Sequence, residues 1–315
     1  MSSRPGTTAI ALAFAGIYII WGTTFLGIAL AIRTIPPFVS GAVRFIIASA
    51  LIYLWLRRRE RQPFAGLNIG GTLLCGVLLS GVGNGFVIWA QLGLPSGITA
   101  LFICSLPVMV LLLDWAFFSR RAPTARGVLG VVIGFSGIIV LTLHSHALSG
   151  QVRPAHVIAV MLSQLGWATG SLLQRRYVPP ESIAGYTCLQ MFSGGIFQLL
   201  LSGLDHEWGA FSLAQVSLQS LLAVAYLIVF GSIIAVNCYS FLLAHVPAQK
   251  VSTYALVNPV IALALGALVL HERITPMALL CAVLVMLGVT LVLWRGAERT
   301  PPVPAESSRL GGQGT

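Results

Sequence analysis

Few side chains in this 315-residue chain could do chemistry, and those that could lie inside long apolar stretches. Arg44 is foremost, about eight residues into the apolar run from 37 to 56, with no acid one helical turn away. A guanidinium at such depth is costly to bury and turns towards polar groups or a wet cavity. Two readings stand open: a structural arginine bonded to carbonyls at a helix break, or a bidentate ligand for a substrate carboxylate or other anion. At a comparable depth lie Trp21, Thr23, Gln164, Trp167, Gln190 and Asn258, with Asn84 somewhat further out. Each alone serves as well to bond or pack two helices. Together they form a polar and aromatic belt at one depth, the expected lining of a central cavity.

Pro107 and Pro259 fall in the middle of two apolar runs. Each proline removes a helical hydrogen bond and frees a backbone carbonyl, which must find another partner, a water or a substrate. They are therefore read as helix breaks, with the Asn258 side chain beside the second one. Lys250 and Glu272 flank that second run and are read as a gate or an anchor, since a terminal lysine can also snorkel to the headgroups. No Asp or Glu occupies the centre of any run, so proton coupling through a buried carboxylate is not supported.

Several chemistries are excluded by what is missing. Lys250 is the only lysine, and no G-x-x-x-x-G-K-[ST] surrounds it, so no phosphate-binding P-loop powers the protein. His271-Glu272 begins an H-E-x-x-H motif, but Thr275 stands where the second histidine belongs. His144 with His146, and Asp205-His206-Glu207, resemble metal ligands in composition only. No catalytic residue, metal or cofactor is expected. A membrane-embedded enzyme or a sensor subunit is the alternative from another class; the shortage of convergent titratable groups and of a soluble output domain disfavours both.

The elements that hold these residues follow from composition. With 57% hydrophobic and only 8% charged residues, the chain belongs in a bilayer. Ten apolar runs are each long enough for a membrane-crossing helix: 8 to 31, 37 to 56, 67 to 90, 95 to 118, 127 to 143, 156 to 174, 182 to 202, 217 to 240, 249 to 270 and 277 to 294. The net charge of +10 is carried by short loops between the runs, which speaks against a nucleic-acid partner. Arg57, Arg58, Arg59, Arg61, Arg120, Arg121, Arg126, Arg175, Arg176 and Lys250 fall on one side with both termini; Arg33, Arg153 and Arg273 fall on the other. Both termini are accordingly placed in the cytoplasm. The five cysteines lie inside apolar runs, no two spaced as C-x-x-C, and read as packing residues.

The chain repeats itself. Leu94 to Arg121 lies without a gap over Val246 to Arg273, pairing Pro95 with Pro247, Pro107 with Pro259 and Arg121 with Arg273. Pro36-Pro37 matches Pro179-Pro180, and Trp21 with Thr23 matches Trp167 with Thr169 three residues out of phase. Five runs per half is odd, so the second half enters the membrane from the opposite side. The expected fold is all-α and integral to the membrane, with ten transmembrane helices in two inverted five-helix repeats, at 8–143 and 156–294, followed by a disordered cytoplasmic tail at 300–315. Gly127, Gly130, Gly134 and Gly137 strip one face of the fifth helix for close packing. Whether its partner lies in the same chain or in a second copy, and hence monomer or homodimer, is open.

Ile20-Trp21-Gly22-Thr23-Thr24-Phe25, Pro36-Pro37 with Arg44-Phe45, Leu106-Pro107-Val108, Asn258-Pro259-Val260, Leu270-His271-Glu272-Arg273-Ile274-Thr275 and Leu287-Gly288-Val289 stand in an order and spacing that resemble the drug/metabolite transporter superfamily, in its ten-helix form with two EamA repeats. The resemblance runs from about Thr7 to Arg295. It implies a multi-pass secondary carrier of the bacterial cytoplasmic membrane that exports an amino acid or related small metabolite by alternating access. A multidrug or lipid-intermediate exporter would use the same fold. Where the family often has Gly-Glu after the fourth helix of a repeat, this chain has Ser119-Arg120 and His271-Glu272.

Overall fold

The computed structural model describes residues 6–120, 122–149, 153–177, 182–272 and 274–293. Arg121, Arg273, Pro179, Pro180 and the tail from residue 300, on which parts of the sequence reading rest, lie outside the described residues, as do the side chains of His144 and His146.

Ten helical segments follow one another: α1 (Thr7–Ala31), α2 (Pro37–Arg59), α3 (Ile69–Ala90), α4 (Ser96–Phe118), α5 (Ala125–Ser149), α6 (Pro154–Tyr177), α7 (Ile183–Leu204), α8 (Leu218–His245), α9 (Ala248–Val251 and Tyr254–Leu270) and α10 (Pro276–Leu293). Seven are long and apolar enough to cross a membrane, and shorter apolar helices at Ala125–Gly137, Tyr254–Leu270 and Pro276–Leu291 complete the ten. Among the described residues there is no strand. Large apolar side chains such as Leu12, Phe117, Leu200 and Leu268 are left on the outer surface, as a lipid-facing protein requires.

The helices interlock across the repeat. α1 packs on α9 as α6 packs on α4; α1 packs on α8 as α6 packs on α3; α2 meets α8 as α7 meets α3. α2 with α7, α4 with α9 and α5 with α10 are the three pairs that map onto themselves. Exchanging each helix for its counterpart five positions on therefore preserves these contacts, the pattern of a pseudo-two-fold axis. The glycine face of α5 finds its partner within the chain: a Cβ on Gly288 of α10 would stand 2.4 Å from Gly134 N and 2.6 Å from Gly130 O.

The helix starts are written in the sequence. Asn68 accepts from Gly71 N at 2.9 Å before α3, Ser217 from Ser220 N at 3.1 Å before α8, and Thr275 from Ala278 N at 3.1 Å before α10. α2 and α4 have only prolines at their starts and borrow their caps from the second repeat. Glu207 accepts from Phe38 N (3.0 Å) and Val39 N (2.9 Å), and Glu272 from Ser96 N (2.8 Å) and Gly97 N (3.2 Å). Both acids follow a histidine in the left-handed region, His206 at φ 54° and His271 at φ 56°. At the end of α9 this reverses the chain, Glu272 N donating back to Gly266 O at 3.0 Å, and swings the carboxylate onto α4. The Asp205-His206-Glu207 cluster is thus a helix cap, and no metal-holding cluster occurs among the described residues.

Two departures from the sequence reading concern helix geometry. The breaks do not fall at the prolines. α4 breaks at Cys104-Ser105, just before Pro107, whereas α9 breaks at Ser252-Thr253, and Pro259 sits inside the continuous helix that follows. The carbonyl that Pro259 frees, Ala255 O, accepts from the Cys104 thiol at 2.8 Å. In addition, α3 and α8 each widen into π-helical turns at the same relative position, Val77–Asn84 and Leu227–Ile234. Single π-helical stretches accompany functional sites often enough to mark these two.

Candidate functional site

The two indoles meet at the crossing of α1 and α6. Trp21 and Trp167 stand edge to face with centroids 5.4 Å apart, and Tyr254 of α9 and Tyr239 of α8 pack on Trp21 at 4.8 and 5.0 Å. Each indole N–H is spent on the scaffold: Trp21 Nε1 donates to Gly231 O at 3.3 Å, and Trp167 Nε1 donates to the Tyr239 hydroxyl at 3.1 Å. Tyr239 in turn shares a 2.6 Å hydrogen bond with Ser171.

Beside this aromatic knot lies a cavity lined by Trp21, Thr24, Phe25 and Ile28 of α1, Arg44 of α2, Gly83, Asn84 and Val87 of α3, Ile103 of α4, Gln164 and Trp167 of α6, and Tyr254 and Asn258 of α9. Its volume is about 60 Å³. That is room for a few waters.

Arg44 gives the cavity its character. It is 2% exposed. Nε donates to Ser232 Oγ at 2.7 Å, the guanidinium carbon lies 4.7 Å from the centre of the Phe45 ring, and Nη1 has no partner. Among the described residues no acid lines the cavity. The π-helical turns of α8 supply the Ser232 hydroxyl that anchors it and the Gly231 space it occupies: a Cβ at Gly231 would stand 3.0 Å from Nη2. A buried ion with incomplete partners costs on the order of several kcal/mol. An anionic ligand placed against Nη1 would recover much of that. Gln164 adds a second open valence, Nε2 donating to Ser163 Oγ at 2.9 Å while Oε1 has no partner.

Six of the eight residues singled out from the sequence, Trp21, Arg44, Asn84, Gln164, Trp167 and Asn258, line this one cavity. The other two do not. Thr23 donates to Ile20 O and pairs with the Tyr226 hydroxyl on the far side of α1. Gln190 of α7 reaches Ser80 Oγ at 3.4 Å in the α3–α7 contact. Asn258 lines the space and also ties helices together: in the amide orientation that satisfies its neighbours, Nδ2 donates to Tyr18 O and Tyr254 O, each at 3.2 Å. Lys250 is exposed at the start of α9, and Glu272 caps α4. The sequence reading missed Tyr254, Tyr239, Ser232 and the caps by Glu207 and Glu272. Tyrosine and serine inside apolar runs give no signal of their own. The two His-Glu pairs did offer one, a recurrence that only the helix ends could explain.

Comparison with known proteins adds to this geometry. The EamA-like transporter family matches residues 8–143 and 155–294. An uncharacterized inner membrane transporter of Escherichia coli K12, YedA, is 33% identical over 284 residues, covering 89% of each chain. A probable amino-acid metabolite efflux pump of the same organism is 24% identical, covering 95% of this chain and 99% of that protein. The protein PagO of Salmonella typhimurium is 23% identical over 287 residues. A solved crystal structure superposes with a TM-score of 0.64 at 19% identity, over 92% of this chain and 96% of the other, and so shares the fold. Two family matches in tandem, an all-helical fold with interlocked halves and a polar cavity where they cross make this chain a member of the EamA-like transporter family, a multi-pass membrane transporter and not an enzyme.

Proposed function

We propose that the protein is a secondary carrier that exports a small carboxylate-bearing metabolite, an amino acid or close relative, by alternating access, with both termini in the cytoplasm. The observation that carries this reading is Arg44 Nη1, buried without a partner in a cavity between the repeats with no acid among its described lining residues. A relative described as a probable amino-acid metabolite efflux pump supports the substrate class and direction. The arginine-rich loops on the side of both termini support the orientation. The same absence of acids disfavours a cationic drug, which would meet a buried positive charge. In this reading Trp21, Trp167 and Tyr254 wall the substrate from water, while Arg44 fixes its carboxylate.

Counterflow into proteoliposomes loaded with single amino acids, their 2-oxo analogues or hydrophobic cations tests the proposal. Carboxylates should exchange and cations should not. Exchange by cations, or exchange of carboxylates that is unchanged in Arg44→Gln at equal incorporation, would overturn it.

A further inference from the structure

A larger space opens at the ends of α3, α4, α6 and α9, on the face that the arginine distribution assigns to the outside. Its volume is about 840 Å³. Its lining shares no residue with the central cavity and includes Trp89, Gln91, Ser96, Arg153, His156 and Glu272. Four buried polar atoms in this wall have no hydrogen-bond partner: both amide atoms of Gln91, Ser96 Oγ and His156 Nδ1. Ser96 is 2% exposed and His156 8%. Buried polar groups are almost always paired, so a cluster of this kind points to a ligand or fixed waters that complete it.

The cluster is held in place by its surroundings. The His156 ring lies against Trp89 with centroids 4.8 Å apart and planes 32° from parallel. On α3's end Gly93 leaves it room, since a Cβ there would stand 2.3 Å from both His156 Nδ1 and Cε1. Ser96 Oγ and Glu272 Oε2 both crowd Gly266, at 3.0 and 2.4 Å from the position of a Cβ there. Glu272 already accepts two backbone N–H groups, and an ionised carboxylate has lone pairs for more. Among the described residues the lining carries one cation, Arg153, and one anion, Glu272. Unlike the central cavity, this wall presents charges of both signs among its described residues.

We propose that this vestibule is a second binding site, for a small zwitterion of the amino-acid type. Its carboxylate meets Arg153 and the Ser96 hydroxyl; its ammonium meets Glu272 and the Gln91 carbonyl oxygen; its carbon skeleton lies along Trp89 and Leu94. His156 Nδ1 takes whichever hydrogen bond the ligand offers, since the imidazole can donate or accept there. A wall with both signs of charge selects a ligand that carries both groups over one that carries either alone.

Labelling of a thiol at the rim tests this on the purified full-length protein. Leu92, 53% exposed and part of the lining, is replaced (Leu92→Cys), and the rate of reaction with a maleimide is measured against the unsubstituted chain. The probes are alanine, propionate and ethylamine, which differ by single charged groups. Alanine at about twice its dissociation constant should slow labelling about threefold, with propionate and ethylamine having little effect. Gln91→Ala or His156→Ala should abolish the protection. Arg153→Gln, an exposed change that leaves packing intact, should remove the advantage of alanine over ethylamine. Arg44→Gln in the central cavity should leave protection unchanged. Equal protection by all three probes, none by alanine, or protection that survives both Gln91→Ala and Arg153→Gln would overturn the proposal. So would protection lost in Arg44→Gln, which would place the alanine in the central cavity.

Discussion

Arg44 and Glu207 show how much a single charge depends on its neighbours. Arg44 has one hydrogen bond and a ring beside it, and its remaining capacity faces the cavity. Charge-assisted hydrogen bonds contribute about 1.5–3 kcal/mol, so Arg44→Gln should lower carboxylate counterflow by about tenfold to a hundredfold. Arg44→Lys keeps the charge and loses the planar fork, and should recover little; initial rates at matched incorporation check both. Glu207 is the opposite case, a carboxylate consumed by structure. It is 7% exposed, and burial, with Asp205 nearby, pushes its carboxyl above the usual range while the Phe38 and Val39 amides pull it down. Its folded pKa is the higher one, so its contribution to stability is complete below the unfolded value, about 4.3, and is lost as pH rises through the folded value. The melting temperature of the native chain should therefore exceed that of Glu207→Gln most in acid, and the gap should narrow towards neutrality.

Among the elements, α5 and α10 depend most on having no side chains. Their backbones approach where Gly288 faces Gly130 and Gly134, and a methyl group at 288 would stand 2.4 Å from Gly134 N with no flexible atom to give way. Gly288→Ala should cost about 1–3 kcal/mol, read as a lower midpoint in thermal unfolding. A change on the lipid-facing side, such as Leu287→Ala, should have little effect, since Leu287 is 54% exposed. Much of the element level was legible in the sequence. Hydropathy placed ten helices, and the gapless overlay of Leu94–Arg121 on Val246–Arg273 carried over to helices that begin at Ser96 and Ala248. The position of the breaks was not legible, because a proline marks a missing N–H without saying whether neighbours will restore the bond. At Pro259 the Cys104 thiol does so from another helix. Nor could local sequence show the π-helical turns of α3 and α8, which bring Asn84 to the cavity and set Gly231 and Ser232 against Trp21 and Arg44. Thr23 was misjudged for a related reason: depth along a helix was known, but direction around it was not, and two residues from Trp21 is more than half a turn.

For the whole molecule, Glu207 and Glu272 are two staples from the second repeat onto the first, both on the face opposite the arginine-rich loops. Parting α4 from α9 there means breaking both bonds of Glu272. Glu272→Ala should therefore favour the state open on that face, by about tenfold if about 1.4 kcal/mol of differential stabilisation is lost. A thiol introduced by Ile103→Cys, in the cavity lining, should then react severalfold faster with a maleimide supplied from that face. An unchanged rate would show that the staple does not gate.

The two copies of the broken helix are not equivalent. Aligned over their repeat, the break in α9 comes one helical turn earlier than the break in α4, and only α9 continues unbroken through its proline. Bending towards one side of the membrane and bending towards the other are consequently different deformations with different barriers. For a carrier that dissipates no energy this imposes a definite kinetic signature. The maximal rate and the half-saturating concentration measured from one side must differ from those measured from the other, while their ratio, constrained by detailed balance, must be the same from both. One turn of helix would thus bias how fast substrate crosses in each direction without ever deciding where it accumulates.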